Sequence, residues 1–109
     1  MKSPAPVFVD AFALSEWLLG RLGDDGRVLP RAICAASLRL LDAVTLAVHG
    51  RDTPARVEEA DERLIALRVQ IRLAERTGVF TEAQALHALE IADRVGRQVG
   101  GWLRSLGGL

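Results

Sequence analysis

Three arginines at four-residue intervals are the residues of this chain best suited to bind another molecule. Arg68, Arg72 and Arg76 would line one ridge of a helix, because residues four apart lie on the same helical face. Guanidinium groups bind carboxylates and phosphates through paired hydrogen bonds, so the row predicts a site for nucleic acid or for an acidic protein surface. The helix dipole offers an alternative explanation. Acids from Glu58 to Glu62 open the same segment and the arginines close it, which is the order that the dipole favours.

Residue types that usually catalyse reactions or bind metals are few here. His49 and His87 are the two histidines, and neither belongs to the Glu-x-x-His pair of a di-iron bundle. Cys34 lies among alanines, as a small core residue would, and no nucleophile motif or phosphate-binding glycine loop is present. We therefore expect no catalytic site, no metal and no cofactor. An enzyme similar to a chorismate mutase is an alternative that would bind a dicarboxylate with arginines, but it also needs a lysine, and the only one is Lys2.

Composition restricts the way in which nucleic acid could be bound. The 109 residues include 14 Lys plus Arg and 14 Asp plus Glu, so bulk charge provides no attraction for phosphates. Nucleic-acid binding would need arginines gathered on one face by folding or by assembly. Aromatic residues make up only 5% and apolar residues 50%, so the core must be aliphatic. This composition and length favour one all-α domain over residues 1–109.

Two features predict a cytoplasmic protein without a membrane partner. Cys34 is the only cysteine, so no intrachain disulfide can form and nothing indicates an oxidising compartment. Asp10 interrupts the N-terminal apolar stretch, unlike in a signal peptide, and no apolar run approaches the roughly 20 residues that cross a bilayer.

Hydrophobic spacing and turn residues predict four helices, at about 7–22, 30–49, 54–77 and 82–106. The first break is the GDDG segment from Gly23, whose glycines can adopt positive φ while its aspartates bond their own backbone. Gly50 ends the second helix, and Gly78 follows the third. Thr53 is a predicted N-cap, and Thr81 with Gln84 is a predicted capping box. Helices joined by short loops pack as antiparallel neighbours, so we predict an up-down four-helix bundle. In its first two helices the predicted core rows are Phe8, Phe12, Leu14, Trp17, Leu18, Leu19 and Leu22, then Ile33, Ala36, Leu40, Val44 and Ala47.

The third predicted helix has apolar residues on two sides. The row expected to face the core is Val57, Ala60, Leu64, Leu67, Ile71 and Ala74. A second row of Ile65, Val69 and Leu73 falls on another side. One core cannot cover both sides of a narrow helix, so the second row predicts a subunit interface. The alternative is a central helix that its own bundle buries all round.

Gly96 and Gly100 interrupt the fourth predicted helix, where each glycine costs about 1 kcal/mol relative to alanine. Close approach of another helix or subunit would explain them, with Trp102 packed beside it. Gly96, Gly100 and Trp102 are therefore predicted interface residues. Alternatively, the helix ends near Val99 and Gly100 is its C-cap.

The segment from Ala60 to Ser105 resembles the accessory variability determinant (Avd) proteins of diversity-generating retroelements. The resemblance lies in LRVQIRLA, in the short loop followed by TEAQ, and in GRQVGGWLRS. The earlier stretch VLPRAICAASLRLL is similar in pattern but less specific. More distantly, the chain is similar to the four-helix-bundle proteins encoded in 23S ribosomal RNA intervening sequences.

The resemblance implies a non-enzymatic protein that forms a homopentameric barrel of four-helix bundles. Such a protein would bind the element's reverse transcriptase and its template RNA, and so support mutagenic complementary-DNA synthesis. The binding residues that it implies are Arg68, Arg72, Arg97 and Arg104, with Arg27 and Arg31 in the loosely matched region. Members of the family are typically strongly basic, whereas this chain has no net charge. A ring would repeat each subunit's arginines and could still build a positive annulus.

The alternative function is that of a scaffold or interaction protein of the intervening-sequence type, with no reverse-transcriptase partner. A neighbouring reverse-transcriptase gene with a template repeat would favour the first hypothesis over this one.

Overall fold

The computed structural model describes residues 5–107 as an all-helical chain. Its helices are α1 (Pro6–Leu22), α2 (Val28–Val48), α3 (Thr53–Arg76) and α4 (Glu82–Leu106). The predicted all-α class with four helices is confirmed for this range. α2 starts earlier than the expected Pro30, because a proline is tolerated in the first turn of a helix, where its missing N–H would have no partner within the helix.

Each helix packs against two others. α1 contacts α2, α2 contacts α3, α3 contacts α4 and α4 returns to α1, and no contact crosses either diagonal within the described range. Successive helices joined by short loops run in opposite directions. The ends of α1 and α3 therefore share one end of the bundle with the starts of α2 and α4. The molecule is elongated, with extents of 42 × 31 × 21 Å.

The core follows the predicted spacing most closely in α3. The buried residues of this helix are the six predicted ones, Val57, Ala60, Leu64, Leu67, Ile71 and Ala74. The predicted row of α2 is also buried. α1 differs, since Phe12 and Leu19 are 50% and 38% exposed while Ala11 and Ser15 are buried. The predicted core row of the first helix therefore spans a wider part of its circumference than α2 and α4 cover.

Two buried serines line the contact between α1 and α2. The Ser15 hydroxyl donates to the carbonyl of Ser37 at 3.1 Å, and the Ser37 hydroxyl donates to the carbonyl of Cys34 at 2.9 Å. Both hydroxyls thereby keep a hydrogen bond inside the protein, as buried polar groups require. Cys34 is partly buried beside them, and burial raises the pKa of its thiol, because a thiolate is poorly solvated there.

Three of the predicted turn signals are confirmed. Gly50 and Gly78 have φ of 75° and 81°, the left-handed conformation that glycine readily adopts after a helix. Thr81 and Gln84 exchange hydrogen bonds between side chain and backbone N–H at 2.9 and 3.1 Å. This is the predicted capping box at the start of α4.

Two other turn predictions were wrong. Gly23 has a φ of −59°, and Gly26 also lies outside the left-handed region. The expected bond between an aspartate and the backbone of this turn is present, since the Asp25 carboxylate accepts from the Arg27 N–H at 3.0 Å. Thr53 is not the N-cap of α3 but its first residue. Its hydroxyl donates to the carbonyl of Ala47 at 3.2 Å and so links the α3 start to the end of α2.

Candidate interaction surface on the third helix

The outward side of α3 carries the apolar row predicted as an interface. Ile65, Val69 and Leu73, called here the α3 apolar row, are 57%, 65% and 49% exposed. α2 and α4 flank α3 on two sides and its core residues occupy the inner side, so the fourth side faces solvent. The alternative of a central helix buried all round by its own protomer is therefore wrong. A row of exposed aliphatic side chains of this kind is typical of an association surface.

The sequence places Arg68, Arg72 and Arg76 on one ridge of α3. In the structure, Arg68 turns towards α4 instead of pointing outward. Its Nη2 atom lies 3.1 Å from Oδ1 of Asp93 on α4. The guanidinium crosses Gly96 on the way, and a Cβ atom at Gly96 would overlap it. Residues four apart are rotated by about 40° around a helix, so the arginine ridge winds from the α4 side at Arg68 to the outward side at Arg76.

Gly96 therefore admits a side chain from the neighbouring helix of the same protomer. Leu64 also approaches this point, with its Cδ2 at 3.2 Å from the position of an added Cβ. The close approach that the sequence predicted at Gly96 is thus present inside the bundle, between α3 and α4. The Arg68 Nε is buried there without a hydrogen-bond partner.

Arg72 and Arg76 are exposed, and no ion pair within residues 5–107 involves either of them. A surface depression of about 120 Å³ between α3 and α4 is lined by Arg72, Glu75, Glu82, Leu86 and Leu89. Leu86 is 57% exposed and adds apolar area on α4. The candidate site therefore combines exposed aliphatic groups with two guanidinium groups and the carboxylates of Glu75 and Glu82, an arrangement suited to binding a protein surface.

Arg27 and Arg31 lie at the start of α2, at the end of the bundle where α3 terminates. Arg27 is paired with Asp25, with Nη2 at 2.6 Å from Oδ2. The hydrogen bonds from Arg27 lower the pKa of Asp25 to about 2, and the carboxylate raises the pKa of Arg27. Both arginines are exposed, and no ion pair of Arg31 occurs within residues 5–107, so of these two predicted binding residues only Arg27 is already paired.

The predicted residues of the GRQVGGWLRS motif lie towards the opposite end of the bundle. α4 continues through Gly100 to Leu106, so the alternative of a helix end near Val99 is wrong. The Arg104 guanidinium folds back along the helix, with Nη1 at 3.5 Å from the position of a Cβ on Gly100. Trp102 packs partly buried against the core, and Arg97 is exposed. The predicted binding residues are thus divided between the two ends of a protomer.

An aromatic cluster joins α1 to α4. The Trp17 ring lies 5.0 Å from the ring of His87 and 5.5 Å from that of Phe80, measured between centroids. The Arg21 guanidinium lies 5.3 Å from the Trp17 centroid, a cation–π arrangement. His87 itself is exposed, so this contact lies at the surface. No local pattern connects residues so far apart in sequence; only the closure of α4 onto α1 brings them together.

A second apolar surface lies between α1 and α2, and the sequence analysis did not identify it. This α1–α2 groove has a volume of about 310 Å³ and is lined by Phe12, Ser15, Glu16, Leu19, Leu38 and Leu41. Phe12 and Leu19 were assigned to the core. Their seven-residue spacing is compatible with a groove between helices as well as with a core position.

Neither a metal site nor a membrane span is found in the part of the chain that the structure describes. Residues 5–107 contain no group of three or more His, Cys, Asp or Glu that could hold a metal ion. The helices in this range lack the combination of length and apolar character that crossing a bilayer requires. Comparison of the chain with family models, with curated proteins and with solved structures found no match.

Proposed function

We propose that this chain is a non-enzymatic accessory protein of a diversity-generating retroelement, which acts by assembly and by binding the reverse transcriptase and its template RNA. The observation that carries the proposal is the α3 apolar row bordered by Arg72 and Arg76, two cations without an ion-pair partner among the described residues. The resemblance of Ala60–Ser105 to Avd proteins supports the choice of partners. A cytoplasmic location follows from this role, since the polymerase and its RNA are there.

The proposed assembly is a homopentamer, the number that the resemblance implies. A ring of five needs a head-to-tail contact between two different surfaces of the protomer, and the α1–α2 groove is an apolar surface that one side of such a contact can use. In a ring, the exposed Arg31 and Arg76 at one end of every bundle would form a circle of positive charge. A chain with no net charge could bind RNA in this way, because affinity for phosphates depends on the number of cations gathered at the contact.

Reversing the charges of the two outward arginines tests the binding function. The double variant Arg72→Glu with Arg76→Glu should weaken binding of reverse transcriptase or template RNA by about tenfold or more, measured by pull-down and by filter binding. Its helicity should match that of the original protein, because both side chains are exposed. Arg68 is left intact since its substitution would disturb the contact with Asp93.

A matched control reverses two arginine charges at positions outside α3. Arg39 and Arg51 are also exposed and lie off α3, so Arg39→Glu with Arg51→Glu should bind polymerase and RNA almost as the original protein does. Unchanged binding by the α3 variant would contradict the proposal. Equal losses in both variants would indicate a nonspecific effect of charge and would contradict the assigned surface.

A scaffold role without a polymerase partner is the second candidate. It is favoured by the lack of net charge and by the pairing of Arg27 and Arg68 with carboxylates of their own chain, which leaves fewer cations for RNA. This candidate predicts assembly without RNA binding, and a gene neighbourhood that contains no reverse transcriptase.

A further inference from the structure

Six exposed residues of α3 form a row with a 3.5-residue repeat. They are Glu58, Glu62, Ile65, Val69, Arg72 and Arg76, separated by alternating steps of four and three, and we call them the α3 seam. This is the spacing by which one helix packs along another in a coiled coil. The seam is acidic at its start, apolar at its centre and basic at its end, and it extends over about 27 Å at 1.5 Å per residue.

The charges of the α3 seam are unfavourably arranged within a single protomer. Glu58 lies four residues before Glu62, and Arg72 lies four residues before Arg76, so each pair places like charges side by side on the helix. No ion pair inside the described range involves any of the four. The helix dipole explains only Arg76, because its effect is confined to the first and last turns and the first turn of α3 contains no acidic residue.

We propose that the α3 seam is an interface between two copies of this chain, whose α3 helices pack antiparallel about a two-fold axis. In this register Glu58 faces the partner's Arg76, Glu62 faces the partner's Arg72, and Ile65 faces the partner's Val69. Every carboxylate then meets a guanidinium, and the like-charge neighbours on each helix are neutralised by the other copy. A parallel pair would set Glu against Glu and Arg against Arg, so the charge order selects the antiparallel arrangement.

The two-fold symmetry repeats each contact. The exposed side chains of Ile65 and Val69 from both copies bury one another at the axis. Two ion pairs lie on each side of this apolar centre. The apolar centre supplies most of the attraction, since removal of apolar surface from water is the dominant favourable term in most protein association. The flanking ion pairs lie at the rim, where they set orientation and weaken as salt is added.

This contact competes with the proposed function for one surface, because it pairs Arg72 and Arg76 with carboxylates of the other copy and so removes them from binding polymerase or RNA. A two-fold interface also pairs a surface with itself and cannot close a ring of five. It leaves the head-to-tail contact of a ring to other surfaces, such as the α1–α2 groove. The mass in solution therefore separates the two proposals without any polymerase or RNA. Two copies support the α3 pairing alone and ten copies support both contacts, whereas five copies or one copy would overturn the α3 pairing.

Charge reversal tests the register of the pairing. Glu62→Arg places cations at both inner charged positions of the α3 seam, and Arg72→Glu places carboxylates at both. Each variant alone should repel itself and raise the dissociation constant of the two-fold contact about tenfold or more, measured by analytical ultracentrifugation. Circular dichroism should show unchanged helicity, because both positions are exposed.

Mixing the two variants provides the decisive measurement. A heterodimer of Glu62→Arg with Arg72→Glu restores opposite charges at both contacts, so the mixture should associate where neither component does. The variant that carries both substitutions should likewise pair with itself as the original chain does. Failure of the mixture to associate, or an unchanged mass for either single variant, would overturn the antiparallel register.

Discussion

The side of α3 that meets α4 and the side that faces solvent both carry aliphatic and arginine side chains, but only on the first does an arginine form an ion pair within the protomer. Facing α4, Arg68 crosses Gly96 and pairs with Asp93 at 3.1 Å. Facing solvent, Val69 is 65% exposed and Arg72 has no ion-pair partner within the described residues. The difference shows that a repeating pattern identifies a face of a helix, whereas the neighbouring helix decides whether that face is already occupied.

Truncating one residue on the inner side of α3 should give the largest effect on stability. Leu67 is fully buried, so Leu67→Ala removes apolar contacts and leaves a cavity. We expect it to lower the free energy of unfolding by about 2–5 kcal/mol, measured by denaturant unfolding monitored by circular dichroism.

The matched control lies on the outward side of the same helix. Val69→Ala should change the free energy of unfolding of the protomer by less than about 0.5 kcal/mol, provided that dilute protein is used so that association does not contribute. A loss at Val69 as large as that at Leu67 would mean that the outward side is covered within the protomer, and the comparison between the two sides would fail.

A double-mutant cycle at Arg68 and Gly96 should give a smaller effect on the α4 side. Alanine at Gly96 favours the helix by about 1 kcal/mol, but its Cβ would displace the Arg68 guanidinium and break a partly exposed ion pair worth about 0.2–1 kcal/mol. In an Arg68→Ala background only the flexible end of Leu64, at 3.2 Å, has to shift, so Gly96→Ala should stabilise the protein more than it does in the original chain.

The cycle compares the free energies of unfolding of four proteins: the original chain, the two single variants and the double variant. We expect a coupling of about 0.5–1 kcal/mol between the two sites. Strictly additive changes would show that the Arg68 side chain does not lie across Gly96, and the α4 side of α3 would then resemble its outward side.

Local patterns predicted the parts of the molecule that depend on one helix at a time. The six core residues of α3 follow from a 3.6-residue period, and the Thr81–Gln84 capping box needs only neighbouring residues. The Arg68–Asp93 pair depends on the register between two helices, which no pattern within either helix contains. The contact of Trp17 with His87 has the same origin, and the overestimated core of α1 reflects how little of that helix its neighbours cover.

The turn between α1 and α2 extends the comparison to a third arginine, and here we expect the smallest effect. Arg27 forms an ion pair with Asp25 of its own turn, whereas the nearby Arg31 is exposed without an ion pair in the described range. The pKa of Asp25 is lowered from 3.8 to about 2 by its hydrogen bonds with Arg27, so its stabilising contribution is complete above the unfolded-state pKa and is lost as the pH falls towards 2. The thermal midpoint of the original chain should therefore exceed that of Asp25→Asn at pH values above 3.8, and the difference should shrink as the pH is lowered towards the folded-state value.

Asp24→Asn is the matched control for this titration, because Asp24 is exposed in the same turn and no side-chain hydrogen bond of Asp24 occurs between residues 5 and 107. Its midpoint should differ little from that of the original chain at every pH. If Asp25→Asn and Asp24→Asn gave the same profile, the carboxylate of Asp25 would not be engaged with Arg27 in solution. Arg27 would then be as available for binding as Arg31. The distinction between arginines with and without an ion pair would no longer apply to this end of the bundle.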